Sequence, residues 1–221
     1  MNDLDVWYRP AAGGIKRCKA KTVSPVELLD ALIRRAEEVE PVINAFTYRH
    51  FDEAMDKAKK AEAKYASGKR TRALEGLPIG IKDESFIKGK PTSSGSLIMK
   101  DFVADRTPVG NQRIMRAGGI IHARTATPEV SAAFCTQSRL WGATRNPWNP
   151  EFTPGGSSGG TSASLPPGTS TISSGSSISG SIRNPAGCCG LVCFKPPYGP
   201  YPDVCLLYTS PIPRTRPPSL L

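Results

Sequence analysis

Histidine is scarce in this chain: His50 and His122 are the only two in 221 residues. After Ser157 there is none, and Asp203 is the sole acidic residue. The string Gly155-Gly156-Ser157-Ser158-Gly159 matches the G-x-S-x-G nucleophile elbow, but that elbow draws its acid and histidine from downstream of the serine. Within this chain the elbow therefore has no base. Long apolar runs are lacking too. Nothing approaches the ~18 consecutive apolar residues of a membrane span. Met1-Asn2-Asp3-Leu4-Asp5 is acidic and has no apolar core of a secretory signal. The six cysteines, at 18, 135, 188, 189, 193 and 205, form no C-x-x-C pair. Cys188, Cys189 and Cys193 lack companion ligands at metal spacing and read as small core residues. These absences set the expectation of a reduced, cytoplasmic chain with no membrane partner, no metal and no cofactor.

What is abundant is positive charge, with 29 Lys and Arg against 19 Asp and Glu and a net charge of +10. That excess would suit nucleic acid. Its distribution argues otherwise: nineteen of the 29 basic residues fall in residues 1–100, interleaved with acids. Between residues 151 and 200 only Glu151, Arg183 and Lys195 are charged. A nearly uncharged Gly/Ser stretch followed by Leu191-Val192-Cys193-Phe194 reads as buried rather than solvated, and no nucleic-acid partner is expected. The alternative of a flexible Gly/Ser linker over 154–181 does not account for the apolar, Pro-flanked cassette that follows it.

The N-terminal half alternates between helical and strand patterns. Ser24 as N-cap, Pro25 at the first helical position and Glu27 completing a capping box predict a helix over 24–40. Leu29, Leu32, Ile33, Ala36 and Val39 repeat at helical spacing, and Pro41 is expected to stop the run. Ala54, Ala58, Ala61 and Tyr65 predict a second helix over 51–66, with Gly68 just past its end. Its Lys/Glu-rich opposite face, and the basic loop after it, read as solvated surface. The short apolar run 77–82 reads as a buried strand ending in Lys82. A helix over 108–117 and a strand over 119–123 follow. This order predicts an α/β layered domain. His122 in that apolar strand reads as a core histidine, and Trp141 and Trp148 are expected to pack beneath a site.

Three segments carry chemistry. They are Leu77-Pro78-Ile79-Gly80-Ile81-Lys82-Asp83, Pro154-Gly155-Gly156-Ser157-Ser158-Gly159-Gly160, and Ile178-Ser179-Gly180-Ser181-Ile182-Arg183-Asn184-Pro185-Ala186. An amide is a poor electrophile, so its hydrolysis needs an activated nucleophile, an oxyanion site and a proton for the leaving amine. With no suitable histidine, Lys82 is the candidate base. A free lysine has a pKa near 10.4, so roughly one molecule in two thousand is neutral at pH 7. Burial at the end of an apolar strand lowers that pKa. Asp83 and Glu84 oppose the effect if they face the amine. Taken alone, Lys82 reads first as a strand-end lysine paired with Asp83.

The spacing and content of these segments resemble the amidase signature family, serine hydrolases that cleave amide bonds with a Ser–Ser–Lys triad. The resemblance covers about residues 22–204. It implies an α/β/α layered domain with a mixed sheet, a small-molecule amide as substrate, and Lys82, Ser157 and Ser181 as triad. Neutral Lys82 would take a proton from Ser157, which takes one from Ser181. Ser181 would then attack the carbonyl to form an acyl-enzyme that water releases. The backbone N–H groups of Ile178, Ser179, Gly180 and Ser181 would form the oxyanion hole, Ser158 and Arg183 would support the site, and Ser157 would follow a strained, cis-capable peptide bond. The resemblance points to general amidases. The alternatives it leaves are the glutaminase component of a glutamyl-tRNA(Gln) amidotransferase and an inactive fragment, with homodimerisation open.

Three positions depart from the family pattern: Ser177 stands for Asp, Ser179 for Gly and Cys193 for Gly. Family members also continue well past Phe194-Lys195-Pro196-Pro197-Tyr198-Gly199. Residues 1–204 therefore read as an N-terminal part with the C-terminal half missing, expected to be molten and inactive alone. Cys205-Leu206-Leu207-Tyr208-Thr209-Ser210 resembles a translated transposase-end adapter. Residues 205–221 are accordingly expected to be adapter-derived or a disordered tail.

Overall fold

The computed structural model describes residues 10–196. The 205–221 tail lies outside them. The described strands are β1 (Phe46–Arg49), β2 (Pro78–Lys82), β3 (Ile120–Thr125), β4 (Gln137–Ser138), β5 (Gly142–Ala143) and β6 (Ile172–Ser174). Four of them form one sheet in the order β1-β3-β2-β6. β2 runs parallel to β3 and β6, while β1 is antiparallel to β3, so the sheet is mixed as expected. β4 and β5 form a separate antiparallel ribbon. Every residue of β2 is buried, as befits a strand flanked by two parallel neighbours.

Six helices accompany the strands among the described residues: α1 (Ala11–Lys19), α2 (Pro25–Ile43), α3 (Phe51–Ala66), α4 (Val109–Arg116), α5 (Gly159–Ala163) and α6 (Arg183–Cys188). Neighbouring residues on a strand point to opposite faces of the sheet, and β3 uses this to build two layers. Ile120 packs with Leu29 of α2 and with Ala54 and Ala58 of α3. Ile121 packs with Ile79, Ile81 and Ile87, and Ile114 of α4 closes over them. Helices thus cover both faces, which gives the α/β/α layering.

The capping box of α2 is formed in both directions. Glu27 N donates to Ser24 Oγ at 3.1 Å and Ser24 N to Glu27 Oε2 at 2.8 Å. The expected stop at Pro41 is corrected, because α2 continues to Ile43 and ends at Asn44 in the left-handed region, φ 53°. Proline takes its own N–H out of the ladder, and here the helix continues around it. The last turn still closes through Asn44 N to Glu40 O at 2.9 Å. The buried Glu40 carboxylate then accepts from Phe46 N at 2.8 Å and ties the helix end to β1. Helix α3 has the bounds read from its pattern, and its buried residues are the four expected. Its outer face carries the pairs Lys57–Glu53 and Lys59–Asp56. Strand β3 runs to Thr125, beyond the expected end at 123. His122, Arg124 and Thr125 are polar yet fully buried, which masked the strand's apolar signature.

A very close backbone approach lies where α5 crosses the sheet. A Cβ on Gly160 would stand 2.2 Å from Ala126 N and 2.6 Å from Ala45 O, both backbone atoms that cannot turn away. Gly160→Ala is therefore expected to lower unfolding free energy by about 3 kcal/mol or more, the upper range for overpacking. Urea denaturation followed by circular dichroism measures it. An unchanged midpoint would show that α5 does not pack here as described.

Candidate active site

Strand β2 delivers Lys82 to the C-terminal edge of the sheet with only 1% of its surface exposed. Its Nζ donates to Ser157 Oγ at 2.7 Å and to Ser176 Oγ at 2.9 Å, and Glu84 Oε2 lies at 3.5 Å. An ammonium carries three donor hydrogens; the two serine hydroxyls take two of them, and Glu84 stands at ion-pair distance. Burial pushes the Lys82 amine below the usual lysine range, and the charge of Glu84 opposes that push. Asp83 takes no part. Its carboxylate accepts from the N–H and hydroxyl of Ser93 and faces Arg124 at 3.6 Å. Burial raises the Asp83 carboxyl to about 6 despite that pairing. Arg124 in turn donates to Lys82 O at 3.2 Å and to Ser85 O at 2.6 Å, fixing the backbone on both sides of Asp83 and Glu84.

The segment carrying Ser157 is buried from residue 154 to 160. The Gly156–Ser157 peptide bond is cis. Gly155 has φ 81°, a conformation that favours glycine. Thr136 clamps both flanks of the turn: its Oγ1 donates to Gly155 O at 2.9 Å and accepts from Gly159 N at 3.0 Å. Asn184 Oδ1 accepts from Gly156 N at 3.0 Å. Ser157 is thereby presented to Lys82 at the point where the chain enters α5.

The second Gly/Ser segment is brought alongside. Ser158 N donates to Ser181 O at 3.2 Å, and Ser158 Oγ donates to Ser176 O at 3.2 Å. Ser158 therefore stitches the two segments together. Ser181 is buried, and its backbone meets the residue next to Ser157, but no hydrogen bond joins its hydroxyl to Ser157 among the described residues. Ile178 is 71% exposed and Ser179 is exposed as well. The N–H of Gly180 is engaged by Ser177 Oγ at 3.2 Å. Ser177 stands where the family pattern has aspartate, so that substitution places a hydroxyl on a donor of the expected oxyanion site. Gly180 needs its glycine, with φ 135°, whereas Ser179 keeps a negative φ and is accommodated without backbone strain. Arg183 is exposed and has no partner among the described residues.

Three residues at the site were not singled out by sequence: Ser176, Thr136 and Asn184. Ser176 and Asn184 sit within or beside the second motif, and that proximity was their only signal. Of the two acids after Lys82, Glu84 is the one that faces the amine. Trp141 packs edge-on against Tyr48, with ring centroids 5.0 Å apart, and its Nε1 donates to Ser93 Oγ at 2.8 Å. Trp148 is corrected, for it is 71% exposed and held by a bond from Nε1 to Cys189 O at 2.9 Å. Cys189 is a buried core residue as expected, but Cys188, at the end of α6, and Cys193, in the segment that follows, are exposed. His122 bonds Thr169 O at 2.9 Å through Nε2, and burial pushes its pKa down to about 4.

An α/β/α fold that brings a buried lysine to a serine of a Gly/Ser turn defines a class of serine–lysine proteins. The Amidase family model matches residues 27–214, and the chain belongs to the amidase signature family. It is 39% identical over 177 residues to the A component of glutamyl-tRNA(Gln) amidotransferase from Synechococcus sp. (strain CC9605), covering 80% of this chain and 36% of that protein. A bacterial aryl acylamidase of the amidase signature family superposes with TM-score 0.78 at 31% identity, over 82% of this chain and 38% of that one. Fatty acid amide hydrolase superposes with TM-score 0.79 at 28% identity, over 83% and 32%. The chain thus spans about a third of the length of these proteins. Among the described residues no helix is long and apolar enough to cross a membrane.

Thr136 is 2% exposed, so Thr136→Val removes two buried hydrogen bonds while keeping the shape. It is expected to destabilise the fold by about 1–3 kcal/mol, the cost of leaving a buried polar group unpaired. Chemical denaturation measures it, and a neutral result would show that the serine turn is held without this clamp.

Proposed function

We propose that the site hydrolyses a small carboxylic amide to acid and amine, with Lys82, Ser157 and Ser181 as a relay. The observation that carries this reading is the 2.7 Å bond between the buried Lys82 amine and Ser157 Oγ. In its neutral form the amine accepts the Ser157 proton instead of donating, and Ser157 accepts from Ser181. Ser181 Oγ then attacks the carbonyl, the amine leaves with the proton returned from Lys82 through Ser157, and water cleaves the acyl ester. The N–H groups of the 178–181 segment hold the developing oxyanion. Gly180 N–H exchanges its bond to Ser177 for one to the substrate oxygen. Ser158 and the Asn184 contact keep the two serine segments in register. No metal or cofactor enters this chemistry.

Family membership, together with the aryl acylamidase and fatty acid amide hydrolase neighbours, supports amide substrates. The identity to amidotransferase components favours a second reading, in which the amide is that of glutamine and ammonia is the product. Ammonia release from glutamine against release of aniline from an anilide separates the two.

In a protein extended to the length of its relatives, labelling by a serine-directed phosphonate reads nucleophile activation without requiring turnover. Ser181→Ala is expected to abolish labelling, and undiminished labelling would remove Ser181 as nucleophile. Because the Lys82 pKa is lowered, labelling is expected to rise with pH through a midpoint below the ordinary lysine value near 10.4. Lys82→Ala should remove that rise and cost most near neutral pH. A loss that is uniform from pH 6 to 10 would assign Lys82 to structure alone, where roughly equal effects at every protonation state are expected.

A further inference from the structure

Glu84 plays no part in the relay above, yet it is the one carboxylate within ion-pair distance of Lys82 Nζ among the described residues, at 3.5 Å. The two side chains differ sharply in exposure. Lys82 is 1% exposed and Glu84 21%. Its Oε2 accepts from Ser131 Oγ, and Ser131 shares a second hydrogen bond with Thr127 Oγ1 at 2.8 Å. The carboxylate is therefore fixed from two sides.

The turn that supplies Ser131 is unusual. Val130 has φ 46° and Ser131 φ 59°, left-handed values that favour glycine and are rare for a β-branched residue. Val130 N is held by Ser94 O at 2.8 Å, and Ser94 is itself at φ 47°. Three non-glycine residues thus adopt a disfavoured backbone around one hydroxyl aimed at Glu84. Disfavoured backbone of this kind collects at functional sites when its surroundings enforce it.

The other charges near Lys82 are already committed. Asp83 is bound to Ser93 and faces Arg124, and the Arg124 guanidinium meets Lys82 only through its backbone carbonyl. Ser157 and Ser176 are neutral. The Glu84 charge is also felt by Arg124. The charge state of Lys82 is thus left to burial on one side and to Glu84 on the other.

We propose that Glu84 is a positioning residue of the amide-hydrolysis site, clamped by Ser131, which stands at ion-pair distance from the Lys82 amine and sets the pH at which Lys82 becomes a base. The proposal rests on the reading of Lys82 as that base. A carboxylate at this distance favours the ammonium form, so Glu84 keeps Lys82 protonated at rest and raises the pH at which the relay opens.

The test uses the full chain labelled with 13C at lysine Cε, with the Lys82 resonance assigned by its loss in Lys82→Arg. In the unsubstituted chain Lys82 is expected to titrate below the other lysines. Glu84→Gln should move its midpoint down by about 1–3 units, the usual effect of one neighbouring opposite charge. Glu84→Asp should restore part of that shift. The acid limb of phosphonate labelling should move in the same direction, which a merely structural residue would not cause. An unchanged Lys82 midpoint in Glu84→Gln overturns the proposal while leaving the base intact. An ordinary lysine midpoint in the unsubstituted chain overturns the reading of Lys82 as base, a separate outcome. Should Glu84→Gln lose its dispersed amide spectrum, Ser131→Ala decides, because it keeps the charge but frees the carboxylate. A lowered midpoint there is expected, and an unmoved one overturns the clamp.

Discussion

Placing a lysine amine where water cannot reach it is the constraint around which the site is arranged. An isolated buried ammonium is expensive, and proteins meet that expense by pairing it, neutralising it, or both. Here both are present at once. Two serine hydroxyls accept N–H groups and one carboxylate stands at ion-pair distance, while burial pulls toward the neutral amine. Burial and the Glu84 charge therefore act on the amine in opposite senses. A strand buried on both faces is the element that can carry a side chain into such a place, and β2 occupies that position in the sheet.

Much of the surrounding structure keeps that arrangement from relaxing. Arg124 is wholly buried, pins the backbone on either side of Asp83 and Glu84, and steers Asp83 away from the amine. Had Asp83 faced Lys82, a second carboxylate would have locked the ammonium form. The glycines of the first serine segment allow the chain to press against its neighbours. At Gly160 the contact is with backbone alone, so shape rather than sequence pattern decides the residue.

Helices α2 and α3 and strands β2 and β3 were legible because period and capping agree there: Ser24 with Glu27, then apolar residues at helical spacing. The pairing of Lys82 with Ser157 was legible through family resemblance, since nothing in composition relates residues 75 apart. Less legible was the direction each polar side chain takes. Asp83 and Glu84 are adjacent acids, and only tertiary contacts with Arg124, Ser93 and Ser131 send them to opposite tasks. Ser176, Thr136 and Asn184 act by hydrogen bonds across 94, 23 and 28 residues, distances over which a single sequence carries no periodic signal. Trp148 misled for a related reason: its indole N–H reaches the carbonyl of the buried Cys189 while the ring itself stays exposed.

The bond from Gly156 N to Asn184 Oδ1 joins a residue just before Ser157 to one just after Ser181. With the Ser158–Ser181 backbone bond, it makes the two serine segments a single mechanical body rather than two loops that happen to meet. Changes in one segment will therefore be felt in the other. Residues sharing such a network deviate from additivity by about 0.5–3 kcal/mol. Evolution within this site is then constrained to move in pairs: a substitution near residue 180 is permitted or forbidden according to what already stands near residue 156.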